Sequence, residues 1–88
     1  MNYSPFEKTE NEEIEPSMDL EMIRDDIITE MKSINEYEAQ VDMLDNEDAA
    51  AVIEQILEEK KSHVAKLIML LTQLDPVQAD KLNNELRQ

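Results

Sequence analysis

Three polar residues interrupt the two apolar stripes of this 88-residue chain. Glu30 stands in the first stripe, and Lys60 and His63 stand in the second. A charge that is buried without a partner costs several kcal/mol, so these groups must pair with one another or bind an ion. A carboxylate with an imidazole suits iron, zinc or manganese, whereas a carboxylate with an ammonium group forms an ion pair. The residue types therefore offer either a metal site or a neutralised polar cluster.

Two helices are predicted to carry these residues. The stripes recur in steps of three and four residues, a period of about 3.5 that is typical of one helix face. They predict a first helix over about 18–44, capped by Ser17 or Asp19, and a second over about 46–74. The first stripe consists of Leu20, Ile23, Ile27, Glu30, Ile34, Tyr37, Val41 and Leu44. The second consists of Ala49, Ile53, Ile56, Lys60, His63, Leu67, Leu70 and Leu74.

Turn-forming residues separate the helices. The run Asp45-Asn46-Glu47-Asp48 predicts a short connection, with Asp45 as the N-cap of the second helix. Asp75-Pro76 ends that helix, and Asp75 can cap a short third helix over about 76–86. A short connection joins the first two helices as an antiparallel hairpin. The middles of both helices then lie at the same depth, where the polar residues meet.

The polar layer, defined as Glu30, Lys60 and His63, is the candidate site. Acidic neighbours lie one helical turn away on nearly the same faces, Asp26 beside Glu30 and Glu59 beside His63. Each residue taken singly has a structural interpretation. A lone histidine on an apolar face is more often part of a core, and a Glu30–Lys60 ion pair could fix the register of the helices. Three polar groups in one layer favour a site.

Tyr37 lies in the first stripe, two turns after Glu30. A buried tyrosine hydroxyl needs a hydrogen-bond partner, which a carboxylate of the same layer could supply. The alternative is that the ring only fills the core.

Composition excludes several classes of function. The chain has no Cys and no Gly, which excludes disulfides, thiolate metal sites and glycine-rich phosphate loops. Its net charge is -14, from 22 acidic and 8 basic residues, so nucleic-acid binding is not expected. No apolar run approaches the roughly 20 residues that span a membrane. A chain this short buries a modest core, which favours association with a partner.

The amino-terminal residues differ from the rest of the chain. Residues 1–16 hold two prolines and an acidic run without helical periodicity, which predicts a disordered acidic arm before a helical domain over 17–88. The start of the chain has no signal-peptide pattern, so we expect a cytoplasmic location.

Three segments carry a resemblance to ferritin-like proteins. Glu30–Glu38, with a Glu seven residues before a Tyr, resembles the family's first helix. Ile56–Val64 resembles the second helix, where the family has an acidic run ending in Glu-x-x-His. Leu70–Pro76 is similar to the family's Leu-Leu-x-x-Leu-Asp-Pro ending. The resemblance covers about residues 18–80 and points in particular to the short, two-helix encapsulated ferritins.

The resemblance implies an all-α fold in which the hairpin is half of a ferritin-like four-helix bundle. Two chains would dimerise and share a di-iron site, with annular oligomers, commonly decamers, as the larger assembly. It implies a ferroxidase that oxidises Fe(II) with dioxygen, linked to iron storage inside an encapsulin shell. Glu30 and His63 carry over as the catalytic metal ligands, with Glu59 as a substitute ligand and Tyr37 beside the site.

The family's Glu-x-x-His is broken here, because Lys60 stands where the Glu would be. A protonated lysine has no lone pair with which to bind a metal. Three arrangements follow. Lys60 can pair with Glu30 in place of the metal, Glu59 can rotate in beside His63, or Lys60 can swing out and leave two ligands per chain.

Two other classes of function remain open at this level. One is a metal-free structural relative, in which Lys60 neutralises Glu30 and the oligomer acts as a scaffold. The other is a coiled-coil adaptor with an acidic arm. The chain also lacks the short apolar C-terminal packaging peptide common in free encapsulin cargo. Three expectations follow: the chain is a domain of a fusion, it is packaged by another route, or it has no shell.

Overall fold

The computed structural model describes the backbone of residues 11–87 and the side chains of residues 18–87. Within that range the chain is all-helical: α1 spans Asn11–Met43, α2 spans Glu47–Leu74 and α3 spans Pro76–Leu86. The predicted all-α fold, a two-helix hairpin followed by a short third helix, is confirmed. None of the described helices is both long and apolar enough to cross a bilayer.

Helix α1 begins earlier than predicted. Its backbone is already helical at Asn11, so the prediction of a start near residue 18 with Ser17 or Asp19 as the cap is wrong. The acidic residues before Pro16 have good helix propensity. Pro16 lacks a backbone N–H and its ring crowds the preceding turn, yet the helix continues through it to Met43. The first ten residues of the arm predicted for 1–16 lie outside the described residues, and the remaining six are helical.

A three-residue connection, Leu44 to Asn46, joins α1 to α2. The N-cap of α2 is Asn46, whose side-chain oxygen accepts a hydrogen bond from the backbone N–H of Ala49 at 2.8 Å. The prediction of Asp45 as this cap is wrong, because the helix begins one residue later, at Glu47. The acidic side chains of Glu47 and Asp48 then face the positive end of the helix dipole.

Asp75 forms the corner between α2 and α3. Its extended backbone fits a residue that precedes proline. Its Oδ1 accepts a hydrogen bond from the backbone N–H of Gln78 at 3.1 Å, as predicted for the cap of α3. Its Oδ2 accepts another from Arg24 Nη2 of α1 at 3.2 Å. The Asp75 side chain therefore ties the corner to both α1 and α3.

The hairpin has a thin core. Among residues 18–87 only Leu57, at 8% exposure, is buried. The other stripe residues are half-buried between α1 and α2 or lie at the edge of the contact. Twelve large apolar side chains in this range are exposed, namely Met18, Met22, Ile28, Met31, Met43, Leu44, Val52, Met69, Leu70, Leu74, Val77 and Leu86. Two helices alone cannot cover this much apolar surface.

The stripe predicted on α2 drifts away from α1 toward its carboxyl end. The more buried side of α2 runs through Ile53, Leu57, Lys60, Val64, Ile68 and Leu71. Leu70 and Leu74 of the predicted stripe are 37% and 45% exposed. A straight helix has 3.6 residues per turn, so a stripe counted in heptads rotates by about 20° per heptad. The second half of the predicted stripe consequently lies on an open face of the hairpin.

Candidate polar site between the two helices

The polar layer forms where α1 and α2 pack together. Lys60 Nζ of α2 donates a hydrogen bond to Glu30 Oε1 of α1 at 3.3 Å. Both side chains are 22% exposed. The charges are thus largely withdrawn from water, and each is compensated by the other. This contact corresponds to the first of the three arrangements set out for Lys60.

His63 lies at the edge of the layer. Its Nδ1 is 3.7 Å from Glu30 Oε1, the oxygen that Lys60 also contacts. That distance exceeds a hydrogen bond, so the attraction between the two groups is electrostatic and depends on protonation of the imidazole. The His63 side chain is 51% exposed. It therefore lies at the border between the contact with α1 and the open side of the hairpin.

Tyr37 contacts the layer through its ring. Lys60 Nζ lies 5.9 Å from the centroid of that ring, within the range of a cation–π interaction. The sequence left open whether the Tyr37 hydroxyl has a polar partner or the ring only fills the core, and the structure places the face of the ring toward the ammonium group.

The remaining predicted residues lie around the layer. Glu59 is on the exposed side of α2. Asp26 lines an open groove of about 350 Å³ that gives access to Glu30 and His63. The groove also contains two residues that the sequence analysis did not single out, Thr29 and Lys66, together with Leu67. Thr29 is next to Glu30, and Lys66 lies about one turn after His63. This spacing could have indicated both residues.

The described part of one chain does not assemble a set of metal ligands. Among the described residues, no group of three or more histidine or acidic side chains is placed to hold a metal ion. Glu30 and His63 supply two suitable donors, but the ammonium group of Lys60 stands beside them and cannot ligate. The donors of a single chain therefore do not fit an iron site.

A second ion pair, formed by the adjacent lysine Lys61, is much more exposed to water than the Lys60–Glu30 pair. Lys61 Nζ is 3.6 Å from Glu38 Oε2, also across α1 and α2. Both of those side chains are about half exposed, at 53% and 52%. Ion pairs this open to water contribute little to stability. Of the two neighbouring lysines, Lys60 alone is drawn into the contact between the helices.

The fold and the polar layer define a class: an antiparallel helical hairpin with an ionisable cluster at its middle and an uncovered apolar face. A curated protein shares part of this sequence. The chain is 42% identical over 57 residues to the encapsulin nanocompartment cargo protein EncC of Myxococcus xanthus (strain DK1622). The match covers 65% of this chain and 44% of the relative, so the chain spans less than half the length of the protein it matches. No protein-family model matches the chain, and no solved structure matches it.

Proposed function

We propose that this protein is a cargo protein of an encapsulin nanocompartment, built on a ferritin-like helical hairpin. The observation that carries the proposal is the 42% identity to an encapsulin cargo protein over most of the chain. The motifs that resemble the encapsulated ferritins lie on the two helices of the hairpin, and by that resemblance the polar layer would correspond to their metal site. The protein would accordingly reside inside a protein shell.

Co-production with a shell tests this assignment. The full chain is expressed together with the encapsulin shell protein that takes up the Myxococcus relative, and the shells are isolated by size. We expect the chain to sediment with the shells and to resist an added protease that cannot enter them. The same chain produced without shell protein should be digested. A chain that stays outside the shell fraction and is digested in both samples would contradict the cargo assignment.

We also propose that a second copy covers the open face of the hairpin and completes a four-helix bundle. The argument is the amount of apolar surface left uncovered around the groove. On α2 the half-exposed Leu70 and Leu74 continue from Leu67 at the groove wall. Because Glu30 and His63 open onto the same groove, pairing of two chains over it would bring both polar layers together. Symmetric pairing of identical surfaces is the commonest mode of self-association.

A charge placed on this face should block the association. In Leu70→Glu, a carboxylate replaces an apolar side chain at the proposed contact, and we expect a monomer in sedimentation velocity where the unmodified chain is a dimer or larger. Ile28→Glu is the matched control, because Ile28 is 63% exposed but lies two residues before Glu30, on another side of α1. The control should associate like the parent. Loss of association in both variants, or in neither, would contradict the assigned face.

The polar layer supports a metal-free role best. The 3.3 Å contact between Lys60 and Glu30 supplies the positive charge that a metal would otherwise bring. In this form the hairpin is a structural relative of a ferroxidase, and its assembly acts as a scaffold within the shell.

Iron binding is the second candidate, and a specific observation favours it. Glu30 Oε1 and His63 Nδ1 are 3.7 Å apart beside a groove that also contains Asp26. Two chains would offer a pair of carboxylates and a pair of imidazoles, which suit Fe(II) as a substrate for oxidation by dioxygen. This activity requires Lys60 to leave Glu30. Iron content after anaerobic Fe(II) loading separates the two candidates.

A further inference from the structure

Adjacent lysines on α2 offer a comparison within one molecule. Lys60 and Lys61 each pair with a glutamate of α1, Lys60 with Glu30 at 3.3 Å and Lys61 with Glu38 at 3.6 Å. The first pair is 22% exposed on both sides, whereas the second is half exposed. One structural difference between them is an aromatic ring, because Tyr37 lies 5.9 Å from the Lys60 ammonium group.

A carboxylate alone holds a lysine poorly. The side chain has four rotatable bonds, and the entropy lost in fixing them offsets most of the gain from an ion pair that water can reach. A ring face adds an attraction from a different direction, and it also covers the alkyl stem. Two contacts from different directions restrict the ammonium group more than either contact alone.

We propose that Tyr37 is a positioning residue that keeps Lys60 against Glu30. It acts through its ring rather than its hydroxyl, and it determines whether the polar layer is closed by lysine or left open for a cation. The inference rests on the proposed function, because it assumes that the Lys60–Glu30 pair is the state of the layer. The inference adds Tyr37 as the residue that keeps the Lys60–Glu30 pair closed. It assigns this role to the ring, whereas a metal site would use the hydroxyl.

Amine labelling measures the position of Lys60 directly. The full chain is treated briefly with a limiting amount of an amine-acylating reagent. The rates at Lys60 and Lys61 are then compared by fragmentation mass spectrometry of a peptide that contains both residues. In the unmodified chain we expect Lys60 to react more slowly than Lys61. In Tyr37→Leu the ratio of Lys60 to Lys61 should rise about two- to fivefold, which is the worth of an exposed cation–π contact. Tyr37→Phe keeps the ring, so its ratio should stay at the parent value.

Each result has one meaning. If Lys60 reacts as fast as Lys61 in the unmodified chain, the closed layer itself is wrong, and the metal-free role falls with it. If Lys60 is protected but Tyr37→Leu leaves the ratio unchanged, the layer stands and the role of Tyr37 is refuted. If Tyr37→Phe raises the ratio as much as Tyr37→Leu, the hydroxyl is the active group and the proposal for the ring fails. General loosening of the hairpin would raise labelling at Lys61 and Lys66 as well, which the ratio removes.

Discussion

Lys60→Glu is expected to destabilise the metal-free protein and to make it bind iron. The change removes the cation beside Glu30 and places a second carboxylate in the same layer, so like charges replace the ion pair at 3.3 Å. Breaking a buried ion pair costs about 3–5 kcal/mol, and breaking an exposed one costs less than about 1 kcal/mol. The Lys60–Glu30 pair is 22% exposed, so we expect the free energy of unfolding to fall by about 1–3 kcal/mol. Urea unfolding in the presence of a chelator measures this loss.

Iron should reverse the destabilisation in this variant. The introduced carboxylate restores Glu-x-x-His before His63, and two chains then provide the donor set of a di-iron carboxylate site with about one iron per chain. A ligand that binds only the folded assembly stabilises it, so the unfolding midpoint should rise on anaerobic addition of Fe(II). The parent chain should show little change. Retained iron and the shift of the midpoint report the same binding event by two different methods.

Lys61→Glu is the matched control for this experiment. It makes the same change in charge one residue further along α2, at a side chain that is 53% exposed and paired with Glu38 at 3.6 Å. Its effect on stability should stay below about 1 kcal/mol, and it should neither retain iron nor respond to it. Equal behaviour of the two variants would mean that the acidic charge of the chain attracts iron without a site. Unchanged stability and iron content in Lys60→Glu would remove Lys60 from the site altogether.

The sequence predicted those elements of the fold that depend on local signals. The stripes and the Asp75-Pro76 pair define two long helices and a short third one, and Asp75 caps α3 as expected. Other boundaries could not be decided in this way. Asp45 and Asn46 have similar capping ability, so only the conformation of the backbone selects Asn46. Pro16 was predicted to be part of the disordered arm, yet α1 passes through it.

The site was predicted less completely, for geometric reasons. Spacing indicated that Glu30, Lys60 and His63 share a layer, but it could not choose the side-chain conformation of Lys60 among three arrangements. The predicted stripe on α2 assumed a period of 3.5 residues. Because a straight helix has 3.6 residues per turn, the stripe rotates along α2, and His63 is half exposed at the edge of the layer. The pattern of one chain also contains no information about what covers that edge. The composition of the layer was readable from the sequence, whereas its state, with Lys60 3.3 Å from Glu30, is seen only in the structure.

Leu57→Ala should have the largest effect on the stability of the hairpin. Leu57 is the one buried side chain among residues 18–87, at 8% exposure, and it lies three residues before Lys60 on the side of α2 that faces α1. Truncation of a buried leucine costs about 2–5 kcal/mol, and the lower half of that range applies where neighbours can relax into the space. A chain this small has little stability in reserve. We expect the thermal midpoint to fall by about 10–20 °C, as measured by circular dichroism.

The measurement is best made in the Leu70→Glu background, so that association does not mask the stability of the hairpin. Ile28→Ala is the control, because Ile28 is 63% exposed and its truncation should change the free energy of unfolding by less than about 0.5 kcal/mol. If Leu57→Ala and Ile28→Ala are equally mild, the contact between α1 and α2 contributes little to folding. The hairpin would then depend on its partner for its structure, as expected of half a bundle. If Leu57→Ala alone unfolds the chain, the hairpin is a folding unit in its own right, and the second copy adds to a structure that already positions the polar layer.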